Sequence, residues 1–289
     1  MTVYLNGDYL ARADAKVSVD DRGFIFGDGV YEVVRALDGS FFTWDEHLDR
    51  MDRGMRELGF RTDSIPRRQA LLEVAERLLH ENDLLTGDAT VYLQITRGAA
   101  RRTHYYPPAE TPVTVYLSAS RFVPPLELRG VGADAITHPD LRWSRCDLKT
   151  VNLLPNVMAK QKAVESGAIE AILVRDGAIT EGASTNVYGV VDGEIRTYPA
   201  TNFILPGITR AVVLELAGDL GIPVREEPIM LSELSNVDEI FLSGTTTDIL
   251  PIVRVDDKAV GTGKPGPVAI KLREALAKRM ESTAGAGAR

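Results

Sequence analysis

A single cysteine, Cys146, in 289 residues permits no internal disulfide, and this usage fits a reducing compartment. Histidine is scarce too: His47, His80, His104 and His138 are scattered without paired ligand spacing, which argues against a zinc site. No uncharged apolar run is long enough to span a bilayer. The opening residues, Met1 to Gly7, lack the charged start, apolar core and cleavage site of a signal peptide. Positive charge is in deficit: 33 Lys and Arg stand against 41 Asp and Glu, a net charge of -8 with a pI near 5.2. An extended nucleic-acid face needs the opposite balance, although a local basic pocket for a small anion remains open. The expectation is therefore a cytoplasmic enzyme with small-molecule partners, bound to neither nucleic acid nor membrane and holding no metal.

What is present is the make-up of a folded chain, 44% hydrophobic and 26% charged, long enough for two cores. Strand and helix patterns alternate throughout, which predicts an α/β (α+β) fold of two domains. Phe122-Val123-Pro124-Pro125 makes a stiff connection. The expected division is a small α/β domain over 1–121, a linker over 122–126, a second domain over 127–281 and a fraying tail over 282–289. Asn6-Gly7 signals a tight hairpin. Val30 to Leu37 reads as a strand with Tyr31, Val33 and Arg35 on one face. Leu48, Met51, Met55 and Leu58 form the apolar seam of a helix starting near Asp45, with Arg50, Arg53 and Arg56 off that seam. A second helix is expected from about Pro66 to Asn82, then strands over Ala89 to Arg97 and Pro112 to Ala119. The later half predicts a strand from Ala133, a helix from about Leu154 to Glu165, and a strand meander over Glu170 to Tyr198. A helix over Ala211 to Asp219 and a strand over Asp238 to Ser243 complete it.

Six stretches carry candidate chemistry. Arg22 to Tyr31 holds three glycines among aromatics, suited to a loop where backbone approaches closely. The long loop after Arg97 carries Arg101, Arg102, His104, Tyr105 and Tyr106; an Arg fork beside His and Tyr can bind a carboxylate, and an exposed polar loop tip is the alternative. Lys149 lies in Cys146-Asp-Leu-Lys-Thr, and Glu181 follows on a glycine turn. This pair suits amine chemistry on a cofactor, or else is a surface lysine and a hairpin acid. Pro206-Gly-Ile-Thr leads into a helix whose start can present N–H groups to an anion. Ser243-Gly-Thr-Thr-Thr247 is a hydroxyl-rich turn, either a cap or a phosphate clamp.

Taken in order, Arg22-Gly-Phe-Ile-Phe-Gly-Asp-Gly-Val-Tyr31-Glu32, Cys146 to Asn152, Thr180 to Asn186, Pro206 to Arg210 and Ser243 to Thr247 resemble the motifs of fold type IV pyridoxal-phosphate enzymes. Within these the chain is most similar to the D-amino-acid aminotransferases, whose substrate-carboxylate motif Arg102-Thr103-His104 resembles. The resemblance implies pyridoxal 5'-phosphate as cofactor, held covalently by Lys149, which also moves the substrate proton. Glu181 would keep the ring nitrogen protonated, and Leu205 would pack on the ring. Arg50, the N–H groups of Ile208 and Thr209, and Thr245 would hold the phosphate. Tyr31, Arg102 and His104 would trap the substrate carboxylate, the Arg102 loop arriving from the second subunit of a homodimer.

The implied reaction is ping-pong transamination between a D-amino acid such as D-alanine and a 2-oxo acid such as 2-oxoglutarate. A branched-chain L-amino-acid aminotransferase, an (R)-amine transaminase and an aminodeoxychorismate lyase are the alternatives on the same fold. Arg101 stands where the family has proline, and Tyr105-Tyr106 add bulk expected beside the trap.

Overall fold

The computed structural model describes residues 1–61 and 65–287 and groups them into two units. The first holds residues 1–123, a short return at Leu148–Leu153, and the chain from Met280; the second holds Pro124–Asp147 and Leu154–Arg279.

The first unit is one antiparallel sheet with helices on one face. Strands β1 (Thr2–Leu5), β2 (Asp8–Ala11), β3 (Gly29–Leu37), β4 (Ser40–Phe41), β5 (Asp88–Thr96) and β6 (Thr114–Arg121) lie in the order β2-β1-β6-β5-β3-β4. The Asn6-Gly7 turn joins β1 to β2 with positive φ at both residues, as a two-residue hairpin with right-handed strand twist requires. Side chains alternate along β3 and β5, so Val30, Val34, Val91, Leu93 and Ile95 enter the core. Helices α2 (Trp44–Glu57) and α3 (Arg68–Glu81) cover them with Leu48, Met51, Met55, Leu71, Leu78 and Leu79. Strand β4 ends at Phe41, and Trp44 begins α2.

The glycine-rich stretch after Asp21 is not an open loop but the short helix α1 (Arg22–Phe26). The Asp21 carboxylate accepts from the Gly23 N–H at its start, and Gly27 closes it at φ +69°, a left-handed conformation that glycine adopts without a Cβ clash.

The second unit is built on a nine-stranded mixed sheet. Its strands are β7 (Ala133–Pro139), β8 (Glu170–Arg175), β9 (Ala178–Gly182), β10 (Asn186–Val191), β11 (Glu194–Thr197), β12 (Val224–Arg225), β13 (Glu239–Gly244), β14 (Asp248–Val255) and β15 (Lys258–Ala259). The order is β12-β11-β10-β13-β14-β7-β8-β9, with β15 on β14. The expected meander is thus two separate hairpins, β8–β9 and β10–β11, with β13, β14 and β7 between them. Turn signals specify neighbours in sequence only, and the insertion of β13 and β14 is set by long-range packing of rows such as Val187, Leu242 and Leu250. Helices α4 (Leu126–Val131), α5 (Leu154–Glu165), α6 (Ile208–Asp219) and α7 (Pro267–Gly287), the last as far as Arg279, belong to this unit.

Two placements differ from the sequence expectation. Lys149 groups with the first unit rather than with the 127–281 segment, because its strand-like backbone is tied to β3. The Tyr31 N–H donates to the Lys149 carbonyl at 3.0 Å, and the Val151 N–H to the Gly29 carbonyl at 3.1 Å. The stretch expected to fray is helical as far as Gly287, its repeated alanines favouring continuation of α7; Ala288 and Arg289 lie outside the described residues.

Candidate active site

In the first unit the site begins with a carboxylate in the wrong row. Glu32 shares the inward parity of Val30 and Val34 on β3 and is fully buried. A buried carboxylate survives there only if paired, and α2 supplies the pairing from one face at i and i+3. The Arg50 Nε–H donates to Glu32 Oε1 and an Arg50 Nη2–H to Oε2, both at 2.7 Å. His47 Nδ1 lies 2.7 Å from Oε2 and, facing an ionised acceptor, carries the hydrogen. Burial alone would raise the Glu32 carboxyl, but the Arg50 charge and the Arg50 and His47 hydrogen bonds hold it down at about 2. Burial also pushes the His47 imidazole down, against the pull of Glu32. Arg50, which the sequence placed off the apolar seam, is therefore buried and aimed.

Tyr31 occupies the opposite face of β3. Its ring stacks on Tyr92 at 5.7 Å between centroids, and Lys149 Nζ sits 4.2 Å from its centroid. Tyr31 and Lys149 are thus brought together by backbone pairing and by a cation–π contact.

Arg102 and His104 lie elsewhere in the first unit, both exposed, against Phe26 of α1. Of the bulk expected beside them, Tyr105 and Tyr106 are both exposed, and the Arg97 guanidinium lies 3.8 Å from the Tyr106 ring centroid.

In the second unit Glu181, on β9, is buried and held from three sides. Arg142 pairs with Oε1, the Asn186 Nδ2–H donates to Oε2 at 3.1 Å, and the Leu205 N–H donates to both oxygens at 3.1 Å. Burial pushes the Glu181 carboxyl up to about 7, against the pull of the Arg142 charge and hydrogen bond and of the Leu205 N–H. Arg142 is itself clamped by Asp140, through Nε and Nη2 at 2.8 Å, and by the Phe203 carbonyl at 3.1 Å. Asp140 also takes Arg175, and although burial alone would raise its carboxyl, the two arginines hold it at about 2. The Cys146 thiol nearby is pushed by burial up to about 11, so it stays protonated at neutral pH.

Arg142→Met tests this arrangement by its pH dependence. Glu181 in the variant keeps its burial and loses its nearest cation, so its folded-state pKa rises further above the unfolded value. A raised carboxyl pKa means folding favours the protonated form, and stability falls as pH rises between the two values. Asp140 loses a partner as well, with the same sign. The variant's Tm deficit should therefore be clearly larger at pH 8 than at pH 5.5, in thermal melts followed by circular dichroism.

Two further features of the second unit accompany Glu181. Helix α6 begins at Ile208 with Gly207 as N-cap and no side-chain cap, so no side chain of the N-cap takes its first-turn N–H groups at the positive dipole end. A Cβ on Gly207 would collide with the Asn186 side chain that bridges Glu181 and the Leu205 carbonyl, so this start is locked to Glu181. The turn carrying Thr245 is braced by Arg129 of α4, whose Nε–H donates to the Thr247 carbonyl at 3.1 Å and which pairs with Asp248 at 2.7 Å.

Sequence reasoning missed Glu32, His47, Arg142 and Arg129. A signal existed for the first two, an acid in the apolar row of β3 and an i, i+3 polar pair on α2. Arg142 and Arg129 lie in stretches without a periodic pattern to set their direction.

A family described as amino-transferase class IV matches residues 29–255 of the chain. The D-alanine aminotransferase of Staphylococcus epidermidis is 43% identical over 281 residues, 97% of this chain and 98% of that protein. The branched-chain amino acid aminotransferase of Escherichia coli superposes with a TM-score of 0.87 at 29% identity, covering 96% of this chain and 93% of that one. The branched-chain aminotransferase of the archaeon Thermoproteus uzoniensis, solved with norvaline, does so at 0.87 and 27% identity, covering 98% and 95%. With a family match over most of its length and a near-complete relative at this identity, the chain belongs to the class IV aminotransferases.

Proposed function

We propose that this protein is a pyridoxal-phosphate enzyme that transfers the amino group of a D-amino acid such as D-alanine to a 2-oxo acid such as 2-oxoglutarate. The observation that carries this reading is its 43% identity, over 97% of its length, to a D-alanine aminotransferase. The branched-chain enzymes that share the fold stand at 29% and 27%.

The residues suit the cofactor. An uncapped helix start suits a phosphate. A buried carboxyl, backed by a fixed arginine, suits a basic ring nitrogen. When bound, pyridoxal phosphate supplies the electron sink that lets an amino acid lose its Cα proton. Lys149 would hold the cofactor covalently at rest and, once released, would carry that proton on Nζ, which lies 4.2 Å from the Tyr31 ring centroid. Glu181 holds a proton at the ring nitrogen, with Arg142, Asn186 and the Leu205 N–H fixing its carboxyl and Leu205 offering apolar surface to the ring. Arg50, the N–H groups of Ile208 and Thr209, and the Thr245 hydroxyl bind the phosphate. Tyr31, Arg102 and His104 bind the substrate carboxylate.

Arg102 and His104 are exposed on their own chain and so are available to a second copy, which supports a homodimer in which this loop serves the partner's site. Among the described residues no helix is long and apolar enough to cross a membrane. The place of action in this reading is the cytoplasm, which the lone cysteine, buried and free, supports.

The test is the first half-reaction of the holoenzyme with D-alanine, L-leucine and (R)-phenylethylamine separately, followed by cofactor absorbance and by pyruvate release from D-alanine. D-Alanine should react fastest. Fast reaction with L-leucine and none with D-alanine would make the branched-chain reading the right one.

A further inference from the structure

The stretch from Arg22 to Asp28 has no part in the chemistry above, yet much of its polar structure points at the loop carrying Arg102 and His104. We propose that Phe26 and Arg22 are positioning residues for substrate-carboxylate recognition, fixing the direction of Arg102 and His104 before substrate arrives. This rests on the reading of Arg102 and His104 as the carboxylate binders.

Both of those side chains are exposed, on a loop without regular secondary structure between β5 and β6. A free arginine there would sample many rotamers and lose that freedom on binding. One aromatic ring collects them instead. The Arg102 guanidinium carbon is 5.3 Å from the Phe26 centroid. The His104 ring meets Phe26 edge-on, with centroids 5.9 Å apart and an interplanar angle of 61°. The peptide between them is fixed separately: an Arg22 Nη1–H donates to the Thr103 carbonyl at 2.9 Å. Arg22 also lies on Phe26, 4.7 Å from its centroid.

This platform is anchored. Arg22 is 3% exposed, and its Nε–H donates to Asp28 at 2.8 Å. Asp28 takes the Arg97 Nε–H as well, at 2.9 Å, where the loop departs from β5. At the other end of α1 the Asp21 carboxylate accepts from the Thr96 and Thr114 hydroxyls, one on β5 and one on β6. Helix α1 is thus bolted to the sheet and carries a ring on which two loop side chains rest. Contacts of both kinds restrict rotamers without consuming the Arg102 donors, which stay available to a bidentate carboxylate.

The experiment compares holoenzymes of wild type, Phe26→Leu, Phe26→Tyr and Arg102→Ala. It measures the D-alanine concentration that half-saturates the first half-reaction, the limiting rate, cofactor retention and Tm. Phe26→Leu keeps apolar bulk but loses the ring face, so half-saturation should rise about tenfold. The limiting rate, cofactor retention and Tm should change far less. Phe26→Tyr should restore the wild-type value. A raised value in Arg102→Ala with no rise in Phe26→Leu would overturn the positioning role alone. An unchanged value in Arg102→Ala would overturn the carboxylate reading and this inference with it. Parallel losses of limiting rate, cofactor and Tm in Phe26→Leu, unrepaired by tyrosine, would make Phe26 structural only and overturn the proposal.

Discussion

In Lys149→Ala, D-alanine turnover should fall by about four orders of magnitude or more, because in the proposed function one primary amine both anchors the cofactor and carries the Cα proton. Alanine can do neither. The fold should survive, since Lys149 is half-buried and its segment is held through backbone bonds to Tyr31 and Gly29 that the substitution keeps. Circular dichroism and Tm separate the two effects: lost turnover with a near-wild-type melt supports a chemical role, and a collapsed melt would assign Lys149 to stability. The same variant tests the shared site. Arg102→Ala should be impaired for a different reason, and a mixed dimer of the two holds one site with both residues intact if the loop acts on its partner. Unfolding and refolding the two chains together should then recover about a quarter of the wild-type rate. No recovery would place Arg102 and Lys149 in the same chain's site.

What could be read from residues alone follows from the range of the forces involved. Helix α5 was legible at both ends, with Gly167 just past it, because its boundaries are local matters of capping and breaking. The Asn6-Gly7 hairpin was legible for the same reason. Helix α1 was not: three glycines suggest an open loop until Asp21 is seen capping the turn from a position fixed by Thr96 and Thr114, far off in sequence. The strand order of the second unit escaped likewise, since turn chemistry does not reveal that β13 and β14 insert beside β10.

The site divides in the same way. Lys149 and Glu181 could be nominated from ordered motifs. The groups that set their behaviour, Tyr31 beneath Lys149 and Arg142 against Glu181, are contacts between distant segments. Tyr31 had been nominated for the carboxylate and also proves to be the neighbour of Lys149. Arg50 shows the limit most clearly, for a position off the apolar seam normally means solvent, and the pairing with Glu32 on another element makes burial tolerable.

Glu32→Gln should cost more stability than Lys149→Ala or Phe26→Leu. With Glu32 ionised and His47 driven toward its neutral form, the buried trio carries one negative charge and the one positive charge of Arg50. Glutamine keeps the shape and can still accept hydrogen bonds, but removes the carboxylate charge that faces the buried guanidinium. Removing one partner of such a pair costs about 3–5 kcal/mol, which lowers Tm by about 10 °C in a chain of this size. The pH dependence gives an independent check. The Glu32 carboxyl lies near 4.5 when unshifted and at about 2 in the fold. A depressed carboxyl stabilises the protein above the unfolded value and loses that contribution as pH falls through the folded one. The window is therefore about pH 4.5 down to 2, and the linked energy is about 3 kcal/mol. Wild type should weaken steeply across that window, while Glu32→Gln, already weaker at pH 7, should decline less. Asp140 contributes a similar acid limb to both proteins and cancels in the difference. Urea unfolding at pH 7, 4.5 and 3 measures it, and a variant as stable as wild type at pH 7 would refute the pairing. The functional consequence follows from the same charges: Glu32 holds Arg50 through two of its donor groups, so in the variant the guanidinium is held less firmly. Inorganic phosphate and cofactor should then bind more weakly than their charge alone would give.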